Sequence, residues 1–316
     1  MPTGPRRDTI DPSINSTYHV YARCVRRAFL FGLDRYFGVD FSYRRRWIRK
    51  QTKYLARYFA IDVFFFAFMS NHYHLVIRNL PNLVESWTDE DVIRRACKIF
   101  RYKFQRLGVK WRTPTAEKLK QLVCDRALVS EMRRRLADPS WFLRQLNQHI
   151  ARRANDEDGC SGRFFEDRFK CNRISDSFAL VICGMYLDLN EIVAGVATCA
   201  EDSTETSLYC RIRGRQLRRK GSHRAIGEDG FLCPVFLLED DQGYPLGGVF
   251  GSHRASDRGL IDMTLDQYLA CVNMLIERFA QPFEEACSKM PIPLREVEEL
   301  LRSQNVLPAI TANVRC

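Results

Sequence analysis

Two of the six histidines stand one residue apart, His72 and His74 in "SNHYHLVI". On a β-strand, residues i and i+2 point to the same face, so both imidazoles would project side by side, about 7 Å apart at the backbone. That arrangement suits two ligands of one metal ion. For an isolated His-x-His pair, chance alternation of two core or surface histidines is the better explanation, so a third ligand decides between the two interpretations.

A second pair, Tyr186 and Asn190, stands in "MYLDLN". Four residues apart on a helix, they share one face. Asn190 would supply an oxygen ligand and Tyr186 a nucleophilic hydroxyl. Two imidazoles and an amide oxygen leave open coordination positions and suit Mg²⁺ or Mn²⁺ better than a closed structural zinc site. Taken singly, a buried tyrosine with a satisfied hydroxyl and a helix-end asparagine remain the simpler explanations.

The charge of the chain points to a polyanionic partner. The 49 Lys and Arg exceed the 38 Asp and Glu, which gives a net charge of +11 and a pI of about 9.2. Nucleic acid is the first candidate for a protein this basic, although a merely solvated basic surface would look the same. Two clusters are predicted to contact phosphates: a helical stripe of Arg46, Arg49, Lys50, Lys53 and Arg57, and Arg211, Arg213 and Arg215 in an exposed loop or tail at 211–220.

The elements that must position these residues follow from hydrophobic periodicity. Strands are predicted at 17–32, 63–69, 73–78 and 162–174. Helices are predicted at 41–60, over most of 80–155, at 175–196 with Ser175 or Asp176 as its cap, at 264–280 with a capping box of Thr264 and Gln267, and at 293–304.

Location is predicted from what the sequence lacks. The first residues, "MPTGPRRDTIDPSIN", contain no apolar signal-peptide core, and the longest apolar run, 63–69, is too short to span a bilayer. The twelve cysteines include no Cys-x-x-Cys pair and no zinc-finger spacing. We therefore expect a cytoplasmic protein with reduced thiols and no membrane partner.

"FMSNHYHLVI" resembles the strand motif of the HUH single-tyrosine transposases, usually Met-Pro-Asn-His-x-His-hydrophobic. "GRFFEDRFKCNRI" and "MYLDLNEIVAG" are similar to the second half of that family, especially its REP-associated tyrosine transposase branch. "WFLRQLNQHIARRANDEDGCSGRFFEDRFK", "YHVYARCVRRAFLFG" and "TSLYCRI" resemble it too. The resemblance covers roughly residues 15 to 215.

The resemblance implies an α+β fold, a ferredoxin-like antiparallel sheet with helices on its faces. It implies a catalytic domain at 1–220 with a helical insertion at about 80–155, followed by an accessory region at 221–316. It also implies that Tyr186 attacks one DNA strand, single-stranded or hairpin-forming, and that His72, His74 and Asn190 bind Mg²⁺ or Mn²⁺.

The chain departs from the family pattern at three positions. Ser70 and Glu191 replace prolines, and Tyr73 fills a position that is often aliphatic. Three alternatives to a transposase remain. They are a domesticated, non-mobile nuclease, a non-catalytic DNA-binding protein of the same fold, and a metal hydrolase with a His-His-Asn site, which would tolerate loss of Tyr186.

Overall fold

The computed structural model describes residues 9–36, 38–220, 228–234, 253–257, 259, 261 and 264–279. The strands are β1 (Ser16–Arg23), β2 (Leu33–Asp34), β3 (Val39–Asp40), β4 (Ile61–Phe68), β5 (His72–Asn79) and β6 (Lys170–Ile174). Strands β4, β5, β1 and β6 form, in that order, one antiparallel sheet, and β2 pairs with β3. The predicted helix 293–304 lies outside the described residues.

The helices lie between and after these strands. They are α1 (Arg45–Ala56), α2 (Pro81–Ser86), α3 (Asp89–Ile99), α4 (Arg101–Arg106), α5 (Ala116–Cys124), α6 (Arg126–Leu136), α7 (Pro139–Glu157), α8 (Ser177–Asp188), α9 (Asn190–Val193), α10 (Ser207–Arg219) and α11 (Leu265–Phe279). Helix α1 connects β1 to β4, and α2–α7 connect β5 to β6. The result is the β-α-β-β-α-β plan of ferredoxin-like folds, and the predicted α+β class is confirmed.

The sheet is covered on both faces. On the first face, Tyr18, Leu75 and Ile77 belong to a core completed by residues of α1, α3, α6 and α7. On the second face, Phe65 and Val76 belong to a separate core with residues of α8, α10 and α11. A strand buried on both sides is apolar at consecutive positions, which explains why β4 reads as the unbroken run "VFFFAF".

Described segments beyond residue 220 close the second face. The Cys233 amide donates to the Val63 carbonyl at 2.9 Å, and the Ser256 amide donates to Asp62 Oδ1 at 2.9 Å. The Tyr268 hydroxyl of α11 donates to Asp188 Oδ2 at 2.8 Å. The division of the chain at residue 220 stays a prediction, but these contacts make α11 part of the wall behind α8.

Most predicted elements are confirmed. Helix α1 lies within 41–60, β4 and β5 match the two central strands, 80–155 is helical, and α8 and α9 occupy 175–196. Asp176 caps α8, since its Oδ1 accepts from the Ala179 amide at 2.8 Å, and Thr264 and Gln267 form the predicted capping box of α11.

Three element predictions are wrong. The strand predicted at 17–32 ends at Arg23, and the one at 162–174 is limited to Lys170–Ile174. The segment 211–220 is not an exposed loop, because most of it belongs to α10. Its basic residues masked the periodicity of Leu208 and Ile212, which are buried in the second core. Within the described residues, no helix is long and apolar enough to cross a membrane.

Helix α8 approaches the sheet closely because position 184 has no side chain. A Cβ at Gly184 would lie 2.5 Å from Cζ of Phe65, a fully buried ring on β4. No real Cβ contact is that short, so any larger residue would push α8 away from β4. Gly184 therefore sets the distance between the sheet and the helix that carries Tyr186.

We expect Gly184→Ala to lower the free energy of unfolding by about 1–3 kcal/mol through overpacking. This would reverse the usual helix preference for alanine over glycine of about 0.5–1 kcal/mol. Urea denaturation followed by circular dichroism measures it. Against a Phe65→Leu background the loss should shrink, because leucine lacks the Cζ atom. An equal loss in both backgrounds would show that this contact does not limit the packing of α8.

Candidate functional site

His72 and His74 point from β5 toward the face of the sheet that carries α8. Their ring centroids are 4.9 Å apart with the rings nearly perpendicular, and His74 is only 4% exposed. In the antiparallel register, Arg23 lies opposite His72 and Tyr21 lies opposite His74. Since directly paired residues share a face, these side chains belong to one surface.

Asn71 determines which ring nitrogen of His72 carries the proton. The Asn71 amide nitrogen donates to the Arg27 carbonyl at 3.1 Å, which fixes its Oδ1 toward His72 Nδ1 at 2.6 Å. An amide oxygen only accepts, so Nδ1 is the protonated nitrogen and Nε2 keeps its lone pair. This is the nitrogen through which the imidazole can bind a metal.

His19 extends the imidazole pair into a row of three. Its Nε2 lies 2.9 Å from Nδ1 of His74, and the two rings stack with centroids 5.0 Å apart. His19 thereby positions the His74 ring from the neighbouring strand. In the tautomer in which His74 Nδ1 donates to His19, Nε2 of His74 keeps its lone pair, as Nε2 of His72 does.

Burial keeps all three imidazoles neutral near pH 7. It lowers the pKa of His19 to about 4, and burial with the positive charge of Arg23 lowers the pKa of His72 to about 4. The pKa of His74 lies well below its usual value because of burial, with further contributions from His72, His19 and Arg23. Neutral imidazoles are the form that binds metal.

Tyr186 lies over this row on α8. Its ring packs edge-on against His74, at 5.8 Å between centroids, and against His19 at 6.4 Å, yet 38% of the residue is exposed. Burial and Cys183 raise the pKa of the phenol, whereas the charge of Arg23 and a hydrogen bond with Asn190 lower it. The phenol is thus protonated at neutral pH but faces two groups that favour its ionised form.

Asn190 lies just after Leu189, where α8 ends and α9 begins. Its amide nitrogen donates to the Tyr186 carbonyl at 2.6 Å. Among the described residues, Asn190 has no hydrogen bond to His72 or His74, and no cluster of three His, Cys, Asp or Glu could hold a metal ion. The structure therefore brings Tyr186 to the imidazoles and Asn190 to Tyr186.

Ser70 and Glu191, which stand where the motif that the sequence resembles has prolines, are held by specific contacts. The Ser70 carbonyl accepts from the Phe31 amide at 2.8 Å, and Gly32 packs so tightly that a Cβ there would lie 2.5 Å from Cβ of Ser70. Glu191 is 2% exposed, pairs with Arg45 at 3.1 Å and accepts from the Glu205 amide at 3.0 Å. These contacts hold the turn before His72 and the start of α9 without proline.

Two neighbours of the site, Tyr21 and Arg23, were not predicted. The Tyr21 ring lies 5.4 Å from that of His74, and the exposed Arg23 lowers the pKa of the nearby imidazoles and phenol. Their alternation with His19 along β1 was the available signal, since i, i+2 and i+4 share a face.

The predicted phosphate-contacting residues have different environments. Arg211 is buried at 6% exposure and donates to the Phe64 and Cys233 carbonyls, so its predicted surface role is wrong. Arg49 donates to the Thr204 carbonyl at 2.6 Å and pairs with Glu205, while Arg215 pairs with Asp266 at 2.5 Å. Lys53 is half-buried, and the exposed members are Arg46, Lys50, Arg57 and Arg213.

No family model and no curated protein matches the chain. A solved structure of a REP-associated tyrosine transposase bound to a REP hairpin is similar at 11% identity, covering 72% of this chain and 90% of that one, with a TM-score of 0.37. A likeness this weak does not establish a function.

We expect the Asn71→Ala variant to populate both neutral tautomers of His72. Without the amide oxygen, Nδ1 loses its acceptor, and the Nε2-protonated form should appear beside the Nδ1-protonated one. Long-range ¹H–¹⁵N NMR spectra of the histidine rings measure the ratio. Asn155→Ala is the matched control, because that amide bonds instead to the Gly162 carbonyl. A single unchanged tautomer in Asn71→Ala would contradict the proposed role of Asn71.

Proposed function

We propose that this protein is a transposase-like enzyme that cleaves and rejoins single-stranded DNA through Tyr186. The attack would join the tyrosine oxygen to the scissile phosphorus and break the bond between phosphorus and one strand oxygen. One DNA end would then be held as a phosphotyrosine and the other released as a hydroxyl. The covalent link conserves the energy of the broken phosphodiester bond for the later rejoining step.

The observation that supports this most is the position of the Tyr186 ring. It packs edge-on 5.8 Å from the buried His74 ring and is still 38% exposed. A nucleophile must be reachable by a polymer and adjacent to groups that stabilise charge on the reacting phosphate. A tyrosine that served only to fill the core would not leave more than a third of its surface in solvent.

Arg23 and Asn190 have separate tasks in this scheme. A free tyrosine is only about 0.1% ionised at neutral pH. The charge of Arg23 and the hydrogen bond with Asn190 both act to lower the pKa of Tyr186. Arg23, exposed at the end of β1 opposite His72, is also placed to bind a phosphate oxygen of the strand.

His72 and His74 would hold a divalent cation, Mg²⁺ or Mn²⁺, through their Nε2 atoms, and Asn190 would add its side-chain oxygen. When bound, the cation supplies Lewis-acid stabilisation of negative charge on the phosphate. Asn71 and His19 orient the two imidazoles by contacting their Nδ1 atoms. When each Nδ1 carries the proton, Nε2 of His72 and Nε2 of His74 are both unprotonated and able to bind the cation.

Tyr186→Phe should abolish the covalent protein–DNA adduct that forms with hairpin-bearing single-stranded DNA and Mn²⁺, because phenylalanine has no nucleophilic oxygen. Denaturing gel electrophoresis of labelled DNA detects the adduct. Tyr21→Phe is the matched control, since Tyr21 contacts the same imidazole at 5.4 Å and should be dispensable.

The pattern across variants separates the alternatives. An adduct that survives Tyr186→Phe but disappears in Tyr21→Phe would assign the nucleophile to Tyr21 and overturn the proposal. Metal-dependent cleavage without any adduct, unaffected by Tyr186→Phe, would identify a metal hydrolase. His72→Ala and His74→Ala should lower the adduct yield at limiting Mn²⁺ more than at saturating Mn²⁺.

Arg23→Gln should slow adduct formation by roughly 10²-fold, the usual effect of removing one group that stabilises transition-state charge. Single-turnover measurements at saturating DNA test this. Arg173→Gln serves as control, because Arg173 is an exposed strand arginine paired with Tyr18 on the other face of the sheet. An equal rate in wild type and Arg23→Gln would remove Arg23 from the proposed chemistry.

A further inference from the structure

A second, strongly basic feature lies on the opposite side of the molecule from the imidazoles. An open groove of about 740 Å³ runs between α1, α4 and α7. These helices cover the first face of the sheet, where the Tyr73 hydroxyl donates to Asn147 Oδ1 of α7 at 2.5 Å. His72 and His74 point to the second face, so the groove is separate from the site around Tyr186.

The charge of the groove is almost all of one sign. Nine Lys or Arg residues line it, and Asp156 is the one carboxylate among the described lining residues. Lys103 and Arg135 are neutralised by Glu131. Five other lining arginines are exposed to solvent: Arg101, Arg112, Arg144, Arg152 and Arg153. Such a surface attracts a chain of phosphates and repels other cations.

Helix α7 carries several cations along the groove. Arg144 and Arg152 both line it, about 12 Å apart along the helix axis and rotated by about 80° from each other. Between them along the helix is Gln148, an uncharged donor and acceptor that also lines the groove. Positive groups spaced along one direction match an extended polyanion better than they match a single small anion.

Aromatic rings alternate with these cations. Arg153 lies over the Trp47 ring at 4.0 Å, and Arg144 lies over the Trp141 ring at 4.8 Å. Tyr102, on α4, is 63% exposed within the groove. Guanidinium groups held over rings are restrained in position for phosphate contact, and an exposed ring offers a surface on which a base can stack.

Among the described aromatic residues Trp111 is the most exposed, at 92%. It and Arg112 both have left-handed backbone, with φ of 53° and 59°. For non-glycine residues that conformation costs free energy and persists only where surrounding contacts enforce it. Arg112 lines the groove and donates to the Tyr54 hydroxyl at 2.9 Å, which fixes this turn at the edge of the groove.

We infer that this groove binds single-stranded nucleic acid, with phosphates on Arg144, Arg152 and Arg153 and unpaired bases stacked on Tyr102 and Trp111. The aromatic component selects the single strand, because a duplex keeps its bases stacked inside and would use only the cations. The inference does not depend on Tyr186 chemistry, because neither Tyr186 nor His19, His72 or His74 lines the groove.

The test uses the full chain carrying Tyr186→Phe, with EDTA present, so that no cleavage contributes. Fluorescence anisotropy of a labelled oligothymidylate gives the affinity and its salt dependence. The triple variant Arg144→Gln, Arg152→Gln and Arg153→Gln should weaken binding by roughly ten- to hundredfold and reduce the salt slope by about two, because single strands release about 0.7 counterion per lost contact. Trp111→Ala should weaken binding by roughly five- to hundredfold through lost stacking.

The matched control removes three exposed arginines that do not line the groove, Arg94, Arg126 and Arg134, by the same change to Gln. It should lose much less affinity than the groove variant. Equal losses in both triple variants would overturn the site. Duplex binding as tight as single-strand binding, with no effect of Trp111→Ala, would overturn the single-strand assignment. The assignment would also be overturned if polyglutamate displaced the labelled strand as efficiently as unlabelled DNA does. A negative result for the groove would not change the expected result of the Tyr186 adduct assay, so the groove inference and the proposed Tyr186 chemistry can be rejected independently.

Discussion

The alternation of side chains along β5, in a sheet that is buried on both faces, determines where everything else lies. Because neighbouring residues point in opposite directions, His72 and His74 must face α8 while Tyr73 must face α7. The polar imidazoles then need partners within a largely apolar layer, and Asn71 and His19 provide them through Nδ1. A shift of one residue in the pairing of β5 with β1 would separate these partners. If β1 were the strand that shifted, Tyr21 and Arg23 would turn to the first face, against the helices that cover it.

The same two-sided construction divides the positive charge between two surfaces. Arg23 lies beside the imidazoles on the second face, whereas the arginines of α7 lie outside the helices that cover the first face. Net charge alone reveals neither location. Several arginines carry no external role: Arg211 is bonded to backbone carbonyls and Arg49 to Glu205, and each serves to join α10 or its start to the rest of the fold.

The sequence predicts the regular parts of the fold because their hydrophobic periods are long and undisturbed. Strands β4 and β5 and helices α1, α8 and α11 all follow from periodicity and capping residues. It fails where charge conceals a buried stripe, as in α10, and where aromatic residues sit in an irregular loop, as at Phe164 and Phe165. His72, His74 and Tyr186 could be grouped from motif spacing. The alternation of His19, Tyr21 and Arg23 along β1 places them on one face, but their approach to the imidazoles also depends on which strand lies next to β5.

Tyr73 illustrates how a residue between two site histidines can be constrained by something other than their chemistry. Its fully buried hydroxyl is joined to Asn147 on α7, and burial raises the pKa of that hydroxyl far above the usual range. Loss of the Asn147 side-chain oxygen would leave the fully buried Tyr73 hydroxyl without its acceptor, which is costly. Tyr73 and Asn147 therefore form one polar tie between β5 and α7, so the residue between the two histidines also fixes where the covering helix lies.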